Sequence, residues 1–517
     1  MKRRKFIKTI SKSSIGLPLM VNGLAVSPLV QSKLFSTLSS DSDRVLVLIR
    51  LNGGNDGLNT FVPIDQYESL LGHRSNVILP ENSLLDLTDE IKLHPVLGGL
   101  KSIYDNGQMS VIHSVGYPNQ NRSHFRSTDI WTSGSSAEEV VLSGWLGRYL
   151  NEEHQGFPEN FPNENYTDPF AITIGNTVSQ TCQGYISNFS MAIEDPFNVS
   201  PLATGEPGST PDNFYGRQLE FLRVSIQQTN AYSETIGEAA NLGTTTVDYP
   251  DTKLAEKLKT VAQLISGGLK SKIYIVNQGG YDTHGRQVES SNETTKGEHA
   301  DLLKELSEAI HAFQTDLNSM NLQDRVIGMT FSEFGRQIKS NGSLGTDHGT
   351  AAPLIVFGDC VNPRFIGTRP EIPTEIEEEE GIPMQFDFRS VYGSILEDWF
   401  GASPTHIQEI IYPDYQYIPI LSCTLTGNRE YAAITSFAEN FPNPFRESTT
   451  IRFECQSENV KLSIFDGYGK EIHVLSNQFF QAGEHEVIFE SHNLPSGNYY
   501  FHLLKKSGVV TKNMVKI

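Results

Sequence analysis

The chain has 517 residues, with 40 Lys+Arg against 61 Asp+Glu and a formal net charge of -21. That length supports a large core and more than one domain. The acidic surplus excludes a general nucleic-acid binder, because no basic excess is left to neutralise phosphates, while an anionic small substrate stays open wherever a bound cation reverses the local potential.

In chain order, Lys2, Arg3, Arg4, Lys5 and Lys8 form a basic head, and a modest apolar segment follows through Ile15, Leu17, Leu19, Val21 and Leu24. A membrane span needs roughly 20 strongly apolar residues, so residues 1–33 read as an export signal and 34–43 as a Ser/Thr/Asp-rich linker. Lys2 to Lys8 resembles a twin-arginine signal, with an ordinary secretory signal as the alternative. No other segment reads as membrane-spanning.

The first strand, Val45 to Ile49, opens onto Gly53, Gly54, Asn55, Asp56 and Gly57. Glycines permit a tight turn there, and Asp56 offers an oxygen ligand, the plainer alternative being a structural turn. The dinucleotide spacing Gly-x-Gly-x-x-Gly is absent. A short helix is expected from about Pro95 to Tyr104, then a strand from Met109 to Val115. That strand delivers Arg122, Ser123, His124 and Arg126, where a hydroxyl, an imidazole and two guanidinium groups open a helix. Such a helix start favours an anion, although Ser123 reads equally well as a plain N-cap.

Residues 151 to 212 read as loops around short strands such as Ala171 to Ile174. Helices are expected over Asn213 to Ala240 and Thr252 to Ser266. The apolar run Lys272 to Asn277 reads as a buried strand, and it ends at Gly279-Gly280-Tyr281-Asp282-Thr283-His284-Gly285. Strand ends of α/β sheets are where ligands gather. The pattern repeats at Val326 to Phe331, followed by Glu333 and Arg336, and at Asp347-His348-Gly349 before Ala352 to Phe357. Between these, Glu298 to Leu317 is amphipathic through Leu302, Leu303, Leu306, Ile310 and Phe313, with His299 and His311 as ordinary packing or surface residues.

The acidic run Glu375 to Glu380 reads as solvated. A helix over Asp387 to Gly401 closes the large domain. From about residue 435, turns alternate with six short strands in a sandwich pattern. Cys182, Cys360, Cys423 and Cys455 show no Cys-x-x-Cys spacing, which removes thiolate metal sites and leaves one or two unpaired-by-sequence disulfides open.

At Leu51 to Thr60, Asn121 to Trp131, Tyr281 to Arg286, Phe331 to Arg336 and Thr346 to Gly349 the chain resembles the DUF1501 family, which is related to alkaline phosphatases and sulfatases. The resemblance implies a doubly wound α/β sheet with helices on both faces over 44–434. It also implies divalent metal ions at strand ends, zinc first, with manganese, magnesium or calcium as alternatives. Asp56, Asp282, His284, Asp347 and His348 resemble the metal ligands. Ser123 is the candidate nucleophile, with Thr60 and Ser114 as rivals, and Arg122 and Arg126 are the oxyanion contacts. His124, Glu333 and Arg336 would support them from behind. The mid-domain spacing departs from the superfamily, which commonly separates this Asp and His by four residues, whereas Asp282 and His284 stand two apart.

Asn440 to Phe445, Val460 to Asp466, Leu494 to Tyr500 and Lys512 to Ile517 resemble the sorting domain of the type IX secretion system, expected over 435–517 as a small all-β sandwich. This implies type IX secretion machinery as a partner, an extracellular or outer-surface location, and a Bacteroidota-like source. The function implied by the whole is a secreted metal-dependent hydrolase of phosphate or sulfate esters acting on an anionic ester or glycan. The alternative is a non-catalytic surface protein that binds glycans or anions with the same fold.

Overall fold

The computed structural model describes residues 19–21, 24–26, 43–198, 214–423, 438–467, 470–491, 494–505 and 508–517. The expected export signal and linker fall almost wholly outside this set. In the first unit, Met1–Asp43, the described residues form one antiparallel pair, Leu19–Val21 with Leu24–Val26. The second unit runs from Arg44 to Ile517.

That unit is built on a nine-stranded sheet. In chain order its strands are β1 (Val45–Asn52), β2 (Met109–Gly116), β3 (Ala171–Ile174), β4 (Ser190–Ile193), β5 (Ile273–Gly279), β6 (Val326–Ser332), β7 (Ala352–Phe357), β8 (Phe365–Ile366) and β9 (Phe386–Asp387). They lie in the order β8-β2-β7-β6-β1-β5-β3-β4, with β9 also pairing β2. β1 is central and runs parallel to β5 and β6. β7 is antiparallel to both β6 and β2, so it is the one reversed strand.

Helices cover both faces, and the reason is legible in β1. A strand sends alternate side chains to opposite faces. Leu46 and Leu48 join one apolar cluster with Trp131, Trp145, Phe388 and Trp399. Val45, Val47 and Ile49 join another with Leu258, Leu303, Ile310 and Phe313. The first cluster takes helices His124–Ser133, Trp145–Glu153 and Phe388–Ile395, and the second takes Gly98–Asp105, Lys253–Ser266 and Glu298–Ser319. Burying each large apolar side chain contributes roughly 1.5–3 kcal/mol, so a strand sandwiched between helix layers is held from both sides.

Local chemistry sets the helix ends. Thr252 caps Lys253–Ser266 by accepting from the Ala255 N–H, which satisfies one of the unpaired first-turn donors. The helix expected to begin near Pro95 starts at Gly98 instead, because the intervening His94–Leu97 segment closes a tight turn, with the Leu97 N–H donating to the His94 carbonyl at 3.0 Å. The helix after Asp387 becomes a π-helix over Leu396–Phe400 before Gly401, at φ 80°, ends it. Cys360 and Cys423 form a disulfide with Cα atoms 5.0 Å apart, while Cys182 and Cys455 are free and buried.

The C-terminal region is a separate, all-antiparallel β domain. One sheet holds Ala438–Phe441, Ser448–Cys455 and Gly483–Glu490, and the other holds Glu458–Asp466, Glu471–Phe480, Gly497–Lys505 and Gly508–Lys516. Phe453, Leu462, Ile464, Phe501, Leu503 and Met514 fill the space between them. Ala438–Phe441 is a strand that its turn-like sequence conceals.

The acidic run shows a second departure. Glu375, Glu377, Glu378 and Glu379 are exposed, but Glu380 is fully buried. The Tyr500 hydroxyl of the sandwich donates to it at 2.7 Å, and the Glu377 N–H donates at 2.9 Å. A buried carboxylate is tolerated when donors replace its water.

Candidate metal centre

The sheet direction explains why distant segments meet. β1, β2, β5 and β6 point the same way, so their C-terminal ends share one edge. β7 is reversed, so the segment that enters it, carrying Asp347 and His348, reaches that same edge. The excursion from Glu333 to His348 is a hairpin closed at its base. The Gly335 N–H donates to Thr350 at 2.6 Å, the Gln337 N–H to Asp347 at 3.0 Å, and the Gly349 N–H to Gly335 at 2.9 Å.

Arg336 ties the edge together. Its Nε donates to the Gly54 carbonyl at 2.8 Å and Nη1 to the Thr346 carbonyl at 2.8 Å. Its Nη2 reaches the Gly53 carbonyl, the Tyr281 carbonyl at 2.8 Å and Asp282 Oδ1 at 2.9 Å. One buried guanidinium thus fixes the loops after β1, β5 and β6, using donors in a rigid planar fork. Gly53, at φ 123°, makes room for this: a Cβ there would lie 2.2 Å from the Asp282 nitrogen.

Around Asp282 stand three imidazoles. His348 Nε2 lies 3.0 Å and His284 Nε2 3.1 Å from Asp282 Oδ1, and His124 Nε2 lies 3.3 Å from Oδ2. The two rings of His284 and His348 bring their Nε2 atoms within 2.8 Å. Phe334, fully buried, floors the site, with ring centroids 4.5 Å from His348 and 5.1 Å from His124. Partial burial works against the Asp282 carboxylate, but hydrogen bonds with His348 and Arg336 outweigh it and hold the carboxyl down at about 2. Burial lowers His348 in turn, with Arg336 and His124 adding to the effect against the hydrogen bond to Asp282. Asp347 is likewise held low, burial being overcome by hydrogen bonds from His284 and Asn341.

Among the described residues, His124, Asp282 and His348 each offer a ligand atom within 4.8 Å of the others. Imidazole and carboxylate are ligands that divalent transition metals accept. Behind them, Glu333 is 3% exposed; its Oε1 accepts from the Gly53 N–H at 2.8 Å, and its Oε2 is buried without a hydrogen-bond partner. The imidazole and carboxylate donor set fits a metal ion.

The expected residues distribute as follows. Asp282, His284, Asp347 and His348 come together. His124, expected as support, stands in the ligand group itself, while Glu333 and Arg336 lie directly behind it. Asp56 is placed elsewhere: it pairs with the fully buried Arg74 at 3.0 and 3.1 Å and accepts from Gln287 Nε2 at 2.6 Å. Ser123 is exposed and makes no side-chain cap bond to the helix it opens. The Arg122 carbonyl accepts from His348 Nδ1 at 2.8 Å. Arg126 turns to the carbonyls of Ser136 and Ala137 at 3.2 and 3.1 Å. Of the rival hydroxyls, Thr60 Oγ1 donates to the Asp56 carbonyl at 2.8 Å, and Ser114 is buried at φ 50°. Sequence reasoning missed Arg74 and Gln287. Gln287 lay close to His284 in the same glycine-bounded loop, which was a usable signal, whereas nothing in Tyr67–Arg74 marks its last residue.

The fold and this cluster define a class: a mixed α/β sheet protein whose C-terminal strand edge carries an imidazole–carboxylate centre able to coordinate a metal ion, followed by a β-sandwich. More particularly, residues 251–410 match a family described as a protein of unknown function, DUF1501, and residues 439–517 match the secretion system C-terminal sorting domain. The sorting domain marks the protein for export to the cell surface or exterior. Among the described residues no helix is long and apolar enough to cross a membrane.

Among solved structures, the chain is similar to the PsFucS1 sulfatase from Pseudoalteromonas sp. at 9% identity, over 90% of this chain and 88% of that one, with a TM-score of 0.34. It is similar to the phosphonate monoester hydrolase SpPMH from Silicibacter pomeroyi at 10% identity, over 91% and 89%, with a TM-score of 0.32. Latent PorU from Porphyromonas gingivalis matches 16% of this chain at 22% identity and a TM-score of 0.14, and the chain spans 9% of its length. Among curated proteins none matches.

Proposed function

We propose that the protein is an exported metal-dependent hydrolase of phosphate or sulfate esters. The observation that carries this reading is the convergence of His124, Asp282 and His348 within 4.8 Å of one another at the sheet edge, directly after an uncommitted serine. A divalent ion held there supplies electrophilic stabilisation of an anionic ester and lowers the pKa of a nearby hydroxyl.

In this reading the chain's own groups do the rest. Ser123 Oγ gives up its proton to solvent water, which returns one to the departing alcohol, and attacks phosphorus or sulfur. The bond to the leaving oxygen breaks, and the alcohol departs with a proton. Water then cleaves the seryl ester, restores the hydroxyl and frees the inorganic anion. Arg122 contacts nonbridging oxygens. Arg126, spent on the carbonyls of Ser136 and Ala137, holds the wall beside it. The ligand set is drawn from Asp282, His284, His348 and His124, with zinc ahead of manganese, magnesium and calcium. The domain limits that go with this reading are 44–434 for the hydrolase and 435–517 for the sorting domain.

A panel of phosphomonoesters, phosphodiesters and sulfate esters, run with each metal, tests the reading. Asp282→Ala, Asp347→Ala and Ser123→Ala are expected to lower turnover on the order of 10²–10³-fold. Turnover unaffected by all three would sink it.

One observation favours a second reading, a surface protein that binds glycans or anions without turnover. Phe125, next to His124, is 87% exposed, and an exposed aromatic face suits a sugar ring. Titration calorimetry with sulfated glycans separates the two: binding that Phe125→Ala abolishes, in a protein that turns over no ester, selects the second reading.

A further inference from the structure

The segment 371–385 lies between the sandwich and the hairpin that carries Asp347 and His348, and it is bonded to both. It forms no helix and no strand ladder, so its path is set by what grips it from either side.

On the inner side the segment holds the hairpin. The Ile338 N–H donates to the Glu380 carbonyl at 3.0 Å and the Ala351 N–H to the Ile382 carbonyl at 3.2 Å, with Gln337 and Gly381 forming an antiparallel bridge between them. Thr350 Oγ1 also donates to the Ile382 carbonyl. From Gln337 it is one step to the far arm of the hairpin. Its N–H donates to the Asp347 carbonyl at 3.0 Å, and its Nε2 to the His348 carbonyl at 3.4 Å.

On the outer side the sandwich holds the segment. The Tyr500 hydroxyl reaches Glu380 Oε1 at 2.7 Å, Asn498 Nδ2 reaches Oε2 at 3.4 Å, and the Gly381 N–H donates to the Gly467 carbonyl at 3.3 Å. Phe465 and Tyr500 share one buried apolar cluster with Ile338, Ala351, Ile382 and Met384. Glu380 is thus the meeting point, its carbonyl gripping the hairpin while the sandwich grips its carboxylate. Both groups hang on one Cα. A buried carboxylate that loses a donor turns toward water, and the carbonyl moves with it.

We infer that the sorting domain is a working part of the site: Tyr500, acting through Glu380, positions the hairpin that carries Asp347 and His348. The hairpin is fully ordered only while the sandwich is docked. Beyond addressing the chain for export, the sandwich conveys its own docking or undocking to the sheet edge. The inference concerns the order of the hairpin and stands apart from the chemistry proposed above.

The test is hydrogen exchange by mass spectrometry on the full chain, free of metal and ester. Tyr500→Phe keeps the ring and removes the hydroxyl. It is expected to speed exchange over 334–350 about 5–30-fold while Ile273–Gly279 exchanges as in the parent. Asn498→Ala removes the other sandwich donor from a partly exposed position and is expected to act in the same direction to a smaller extent. It serves where Tyr500→Phe does not fold, which circular dichroism shows. Lys512→Ala breaks the 3.0 Å contact with Glu371, which among the described residues is not bonded to the hairpin. That variant is expected to leave 334–350 at the parental rate, whereas a general anchoring role would loosen the hairpin in all three. Parental exchange over 334–350 in the folded Tyr500→Phe or Asn498→Ala proteins, equal loosening in Lys512→Ala, or acceleration spread evenly to Ile273–Gly279 would each overturn the inference. A responsive hairpin in a protein that hydrolyses no ester would remove the hydrolase reading and leave this one standing, and turnover with an unresponsive hairpin would do the reverse.

Discussion

Arg74 and Asp56 show how a residue's neighbours decide its role. Burial alone would raise the Asp56 carboxyl, but Arg74 and His299 hold it below the ordinary carboxylate range. A carboxylate with a depressed folded pKa contributes stability in full above its unfolded value of about 3.9 and loses it as pH falls through the folded value. Arg74→Ala is therefore expected to destabilise the fold by about 3–5 kcal/mol near neutral pH, since it strands a buried charge. Asp56→Asn is expected to flatten the acid limb of stability between about pH 5 and pH 1. Urea unfolding across that range measures both, and an unchanged acid limb in Asp56→Asn would refute the assignment. Gly53→Ala is expected to cost on the order of 1–3 kcal/mol and to weaken metal binding, because its Cβ would press on the Asp282 nitrogen. At this scale the sequence showed Asp56 as an acid in a glycine turn and showed nothing of its partner. Ion pairing is a property of folded neighbours, and Arg74 is 18 residues away. Asp282, His284, Asp347 and His348 were readable because glycines and apolar runs bracket them.

Among the elements, the buried strands were the most legible. β1, β5 and β6 are apolar on both faces and are bounded by glycine or polar turns, so their sequences read as unbroken runs. The reversal of β7 was not legible, since strand direction follows from connections through space. That reversal decides which end of β7 serves the site. The Cys360–Cys423 bridge was equally hidden, because four cysteines allow several pairings. It closes a loop with a sequence separation of 63, for which chain entropy gives a stabilisation of about 4 kcal/mol. Thermal unfolding with and without reductant checks this: the reduced protein is expected to melt several degrees lower, and identical melts would remove the bridge from the account.

At the scale of the molecule, the sandwich is anchored to the large domain through polar contacts. Tyr500 reaches Glu380, Lys512 pairs with Glu371 at 3.0 Å, and Thr511 Oγ1 donates to the Met384 carbonyl at 3.3 Å. Burial raises the Glu380 carboxyl above its usual value, against hydrogen bonds from the Glu377 N–H, Tyr500 and Asn498 that lower it. Tyr500→Phe is expected to cost about 1–3 kcal/mol by leaving a buried acceptor short of a donor, and adding Glu380→Gln is expected to restore part of it. Calorimetry of the two variants measures the difference, and a Tyr500→Phe protein as stable as the parent would show the contact to be incidental. An acidic run read as solvated was right for its exposed members and missed Glu380, because burial there depends on a domain more than a hundred residues downstream.

The hairpin between Glu333 and His348 has one more consequence. Its base is stapled by backbone hydrogen bonds, and Gly345 is packed so closely that a Cβ would lie 2.4 Å from the His284 carbonyl, yet Gly342 at the tip has no atom within 4 Å of where a side chain would begin. Side chains at position 342 can therefore vary while its neighbour Asn341, donating to Asp347 Oδ1 at 3.0 Å and to the His284 carbonyl at 2.8 Å, keeps the chemical groups in place. Variants that differ only in the side chain at 342 would share one centre and diverge in what they admit to it, so this one position is the place to graft diversity when selecting for new substrates.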